Sequence, residues 1–284
     1  ERLGDAPFQW PVLRWLGPWQ AEFFVGVLDG PRVARNTVYD GLRFTFNPAP
    51  GLQIGLSRTD MMCGIGHSCS PFRDYFSLAN DLAHVNNTND QGAFDIKYSR
   101  VLAGVPFEIY TQFMNEDSSP FTHSGTSHLV GGSVYLPVGA ATPLRVTAEF
   151  TDSISTLDIF SADHLYGFSY TNGLYSDGMR YRGRTLGFSL DDDSRLLSLQ
   201  GSFSDSGGRF YELSIHHANI SNLHSVGANI VSPLAPVSIN LGEARVTLPL
   251  RGFKFDVAAR YQDRQIPPKS GSAAAVESAL RTDF

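Results

Sequence analysis

The chain carries only two cysteines among its 284 residues, Cys63 and Cys69, separated by five residues. A fold stapled by several disulfides is therefore excluded. Positive charge is also scarce: 22 Lys and Arg against 28 Asp and Glu leave a net charge of −6 and a pI near 5.7. A nucleic-acid partner calls for a basic footprint, so none is expected. No run reaches the roughly 18 apolar residues of a transmembrane helix. No initiator methionine or signal peptide is present, and the opening Glu1-Arg2-Leu3 reads as that of a processed or truncated chain. Nucleophile-elbow and metalloprotease motifs are missing too, and the loop histidines His67, His84, His123 and His128 share no catalytic spacing. The expectation is a protein that is not an enzyme, with no catalytic residues, resident metal or cofactor.

What is present is alternation. In residues 41–59, Leu42, Phe44 and Phe46 alternate with Arg43 and Thr45; after Asn47-Pro48-Ala49-Pro50-Gly51, Leu52, Ile54 and Leu56 alternate with Gln53, Gly55 and Ser57. Period-two patterning on both sides of a Pro/Gly-rich turn predicts a β-hairpin with one apolar and one polar face. The same signature recurs at residues 19–28, 92–100, 107–115, 128–136, 144–150, 195–204, 209–218, 242–248, 253–262 and 273–284.

This makes twelve predicted strands of about nine to eleven residues, the length of tilted strands crossing a bilayer. Short turns and long polar loops alternate between them, as in outer-membrane barrels. The predicted fold is an all-β antiparallel transmembrane β-barrel. Residues 1–18, with Trp10 and Trp15, form a lead-in segment placed at the membrane interface. Residues 19–284 form the barrel, with long outer loops at 60–90 and 152–194. Glu22, Arg43, Asp95, Lys97, Glu108, Arg145, Glu149, Lys254 and Arg260 fall on the polar faces and are expected to form cross-strand pairs inside the lumen. Residues 180–190 also alternate, but Arg180, Arg182 and Arg184 share a side with Leu186, Phe188 and Leu190. Arginine facing hydrocarbon at mid-membrane costs about 2–4 kcal/mol, so this stretch is assigned to the outer loop.

Three passages resemble the Wzi capsule-assembly family of Gram-negative outer-membrane proteins: LRWLGPWQ at residues 13–20, GLRFTFNPAPGLQIGLSRT at 41–59 with GIG at 64–66, and GAFDIKYS at 92–99. FMNED at 113–117 and the last hairpin extend the likeness more weakly. The resemblance implies an integral bacterial outer-membrane barrel of about eighteen strands with an N-terminal helical element. On that basis about six strands and the helical element would lie outside this chain, or the twelve strands would close by themselves. It further implies a lectin-like, non-catalytic role in holding capsular or extracellular polysaccharide at the cell surface, with lipopolysaccharide and the polysaccharide-export machinery as neighbours. The alternative is a porin-like diffusion channel for small polar solutes.

Several loop residues carry candidate chemistry. Cys63, His67 and Cys69 have thiol and imidazole donors for a soft metal, but no fourth ligand is evident, and a disulfide between Cys63 and Cys69 is the expectation. Phe72, Arg73, Asp74 and Tyr75 combine aromatic faces with charge, which suits sugar binding or packing into the barrel mouth. Arg180, Arg182 and Arg184, with Tyr181, could grip acidic groups of a polymer or pair internally with Asp177 and the aspartates at 191–193. If extended, the stretch places all three guanidinium groups on one side.

Overall fold

The computed structural model describes residues 2–3, 11, 13–69, 88–116, 125–137, 143–250 and 252–282. Twelve long strands make one antiparallel sheet: Trp19–Leu28, Thr37–Ala49, Leu52–Met62, Asn89–Leu102, Val105–Glu116, Thr126–Leu136, Leu144–Thr156, Arg195–Ser204, Phe210–Ile220, Val237–Leu250, Phe253–Gln262 and Ala273–Arg281. Each pairs with its sequence neighbours, so the sheet is a meander in strict chain order. The strands are 9 to 14 residues long, several extending past their alternating stretches. Among the described residues the first and last do not pair with each other, and the sheet is open.

Connections alternate as the pattern predicts. One end of the sheet carries the tight turns at residues 50–51, 103–104 and 205–209 and the reversal from Leu250 to Phe253; at the other end lie the connections at 157–194 and 221–236, the end of Leu52–Met62 and the start of Asn89–Leu102. In the first hairpin the turn is shorter than the Pro/Gly composition suggests. The strand runs through Pro48 to Ala49, with the register shifting between Phe46 and Ala49. That irregularity accommodates a proline, which cannot donate to the ladder. Gly51 then takes φ 82°, and an added Cβ would meet the Ser99 carbonyl oxygen at 2.1 Å.

The two faces differ as the alternation requires. One exposes Val25, Ile109, Val130, Leu197, Leu199, Leu213, Ile215 and Val276. At the turn end this face carries an aromatic group: Trp15 meets Phe46 edge-on at 6.0 Å, and Trp19 and Phe46 flank Phe44. Such girdles mark the interfaces of membrane barrels.

The other face is polar and cross-linked. Arg43 reaches across the intervening strand to Asp95 (2.8 Å), Arg145 bonds Glu108 (3.1 Å), and Arg260 bridges Glu243 and Glu277. Glycines make room for this layer. Gly55 lies directly opposite Asp95, whose carboxylate would sit 2.3 Å from an added Cβ. Gly131 lies between Tyr110 and Glu149, and the Tyr110 hydroxyl passes over it to donate to Glu149 at 2.9 Å.

Candidate functional site

The site is built at the long-loop end, where the segment between Leu144–Thr156 and Arg195–Ser204 folds back over the polar face. Tyr170, Tyr175 and Met179 are buried against Leu28, Ala34 and Met61. Leu28 and Met61 belong to the polar, inward face by strand parity. The segment therefore caps the lumen with an apolar cluster, although little in its own sequence alternates.

Directional bonds hold this cap. The Tyr170 amide donates to Glu116 Oε2 (3.0 Å), and the Tyr170 hydroxyl accepts from the Phe188 amide (3.1 Å). The Tyr175 hydroxyl donates to the Cys63 carbonyl (3.0 Å), and its ring stacks on His67 at 4.5 Å. Cys63 and Cys69 form a disulfide, which closes the small loop carrying His67. Burial, with Asp60 next, pushes the Tyr175 phenol up to about 12.

Residues 180–185 form a miniature hairpin, with Arg180 opposite Thr185 and Tyr181 opposite Arg184. Arg182 and Gly183 make its turn, both at positive φ (49° and 74°). The stretch is thus not a strand of the main sheet, and its turn separates the three arginines. The extended, one-sided arrangement does not form, because the tight turn at Arg182 reverses the chain. Arg180 points inward, forking onto Asp191 at 2.9 Å through each arm and donating to the Ala228 carbonyl at 3.0 Å. Arg182 lies over the Tyr181 ring, 5.2 Å from its centroid, and pairs with Asp29 at 3.2 Å. Arg184 is exposed and makes no ion pair among the described residues.

Beside this hairpin opens a cavity of about 860 Å³, walled by Asp29, Arg32, Asp177, Arg180, Tyr181 and Arg182, with residues 227–230 on the far side. The Tyr181 hydroxyl donates to Asp29, and this bond, with Arg182 next, holds the Asp29 carboxyl below its usual range. Arg32 is 8% exposed, donates to the carbonyls of Arg180 and Gly178, and keeps its Nε buried without a partner among the described residues. Asp177 accepts from the Val33 amide at 2.7 Å and ties the two walls together.

Nothing in the sequence marks Asp29 and Arg32, and Asp177 stands out there only as a pairing partner for the arginines. They lie in irregular segments, and only folding brings residues near 30 against residues near 180. Phe72, Arg73, Asp74 and Tyr75 lie outside the described residues, as do His84 and His123. His128 stands edge-on to Phe113 at 5.5 Å on the outward face, away from the cavity.

A continuous antiparallel meander with an apolar outer face, an ion-paired inner face and a mouth capped by its own loop defines a transmembrane β-barrel. The sequence profile of the family "Capsule assembly protein Wzi" matches residues 5–269, and the chain belongs to that family. A 55.8 kDa protein in the cps region of Klebsiella pneumoniae, described as uncharacterized, is 33% identical over 130 residues, which is 44% of this chain and 26% of that protein. Among solved structures, the chain superposes on Wzi of Escherichia coli with a TM-score of 0.76 at 21% identity, over 98% of this chain and 57% of that one. That protein is described as an outer membrane protein involved in group 1 capsule assembly and a carbohydrate-binding β-barrel. The present chain thus spans little more than half the length of its structural relative and about a quarter of its sequence relative.

Proposed function

We propose that this chain forms part of an integral outer-membrane barrel that attaches capsular or extracellular polysaccharide to the cell surface by binding, without catalysis. The family and the description of the E. coli protein support this reading. The observation that carries it to particular residues is the cavity at the capped mouth, where the Tyr181 ring, Arg182 and Asp29 meet. A sugar offers apolar ring faces that pack on aromatics, and hydroxyls and carboxylates that match planar, forked donors. Arg184 adds an exposed cation nearby, whereas Arg180 serves as the internal support of the site.

The long-loop end faces the medium and the tight turns face the periplasm. Lipid along the apolar face includes lipopolysaccharide, and the polymer arrives from the polysaccharide-export machinery. Hydrocarbon tolerates no unpaired sheet edge, so the two outermost strands take partners in the membrane.

The test is binding of purified capsular polysaccharide to immobilised protein, comparing wild type with a Tyr181→Ala, Arg182→Gln double variant. Exposed charge contacts are individually weak, but repeated sites on a polymer multiply them, so a several-fold loss is expected. Unchanged binding by a folded double variant rejects this site. The charged lumen favours one other reading, a diffusion channel. Steady currents from the protein in planar bilayers would establish it, whereas the capped mouth predicts little conductance.

A further inference from the structure

Asp191, Asp192 and Asp193 occupy one turn behind the cavity wall, at 0%, 0% and 2% exposure. Their environments differ. Asp191 is matched by the Arg180 fork, the Thr185 hydroxyl (2.7 Å) and the Ile230 amide (2.8 Å). Asp193 accepts through Oδ2 from the Gly167 amide (2.9 Å) and the Ser225 hydroxyl. Among the described residues, no group other than the adjoining carboxyl reaches either oxygen of Asp192 or Oδ1 of Asp193. The carboxyl groups of Asp192 and Asp193 are within reach of each other, and neither forms an ion pair among the described residues.

The backbone cannot swing these groups out to solvent without breaking its own bonds. The Ser153 hydroxyl donates to the Asp191 carbonyl (2.7 Å), the Ser194 hydroxyl to the Asp192 carbonyl (3.0 Å), and the Asn229 amide to the Leu190 carbonyl (2.8 Å). A buried carboxylate without a partner is strongly unfavourable, and removing the charge or matching it is the remedy. Three sealed oxygens on two adjoining carboxyl groups make a hard, all-oxygen donor set.

We propose that Asp192 and Asp193 bind a hard divalent cation of the Ca²⁺ type within the loop cap. Ca²⁺ accepts irregular all-oxygen shells, whereas Mg²⁺ demands a near-ideal octahedron. No three His, Cys, Asp or Glu side chains converge among the described residues, so carbonyls, hydroxyls or water complete the shell. With so few carboxylates the affinity belongs to the range of extracellular modules, roughly 0.1–1 mM. Bound there, the ion ties the segment carrying Asp193 to the loop carrying Ser225, which continues into the far wall of the cavity.

The experiment uses the whole protein in detergent, stripped with EDTA and titrated with CaCl₂ alone by calorimetry and thermal melting. Saturable binding and a higher melting temperature are expected for wild type. Asp192→Asn and Asp193→Asn should each weaken Ca²⁺ binding at least about tenfold. Stripped Asp192→Asn should melt no lower than stripped wild type, since it removes an unmatched charge, and this shows that the variant folds. Two results overturn the proposal: no response of stripped wild type to Ca²⁺, or an undiminished response in the folded Asp192→Asn variant. If stability then follows pH alone, the pair shares a proton. None of these measurements involves polysaccharide, so they stand apart from the binding role.

Discussion

Arg180 and Asp191 meet in a two-armed fork, Nε to Oδ1 and Nη2 to Oδ2, both at 2.9 Å, with the carboxylate fully buried. Two residues further on, Arg182 is 63% exposed and pairs with an equally exposed Asp29. Neighbouring arginines of one short hairpin thus have separate tasks, one inside the cap and one at its surface.

The separation is measurable. Arg180→Gln leaves Asp191 buried without its cation and should destabilise the cap by about 3–5 kcal/mol, the range for breaking a buried pair. Hydrogen exchange of residues 157–194 reports this as lost protection. Arg182→Gln should leave exchange unchanged and lower polysaccharide retention several-fold, with the effect shrinking in high salt. Equal exchange in both variants would refute the division.

Tyr175 ties the cap to the disulfide loop, so Tyr175→Phe should cost about 1 kcal/mol through loss of the bond to the Cys63 carbonyl. Its pH dependence has a definite sign. The phenol rises from 10.0 in the unfolded chain to about 12 in the fold, so the folded state holds its proton longer. Stability is intact below pH 10 and falls as pH rises from there to about 12. An alkaline melting series should show this decline in wild type and less of it in Tyr175→Phe.

The lumen layer depends on its glycines. In Gly131→Ala the new methyl would lie 2.7 Å from the Tyr110 ring and push it off Glu149. Overpacking of this kind costs about 1–3 kcal/mol. Heat-modifiability on gels should show the barrel unfolding at lower temperature, while Gly66→Ala strains only a surface turn where an added Cβ meets nothing within 4 Å.

Sidedness is tested with single cysteines in a background lacking Cys63 and Cys69. Phe160 is 90% exposed in the long capping segment, and Phe160→Cys should react with an impermeant thiol reagent on whole cells. Ser206→Cys, in the tight turn after Arg195–Ser204, should be protected until the outer membrane is opened. The reverse pattern would invert the orientation.

Strand number, strand order and the division into apolar and polar faces were legible in the chain because side chains alternate every residue and tight turns need glycine and proline locally. The lumen pairing of Arg43 with Asp95 and of Arg145 with Glu108 follows once neighbouring strands are set in register. The loops obey no such short period. Whether Arg180 faced a ligand or Asp191 depended on a turn at Arg182 that the alternation of 180–190 concealed. Asp29 and Tyr181 are 152 residues apart, and only the packing of the cap over the inner face of the sheet brings them to one cavity. Local alternation determined the wall of this barrel; long-range packing of irregular segments decided what its mouth presents.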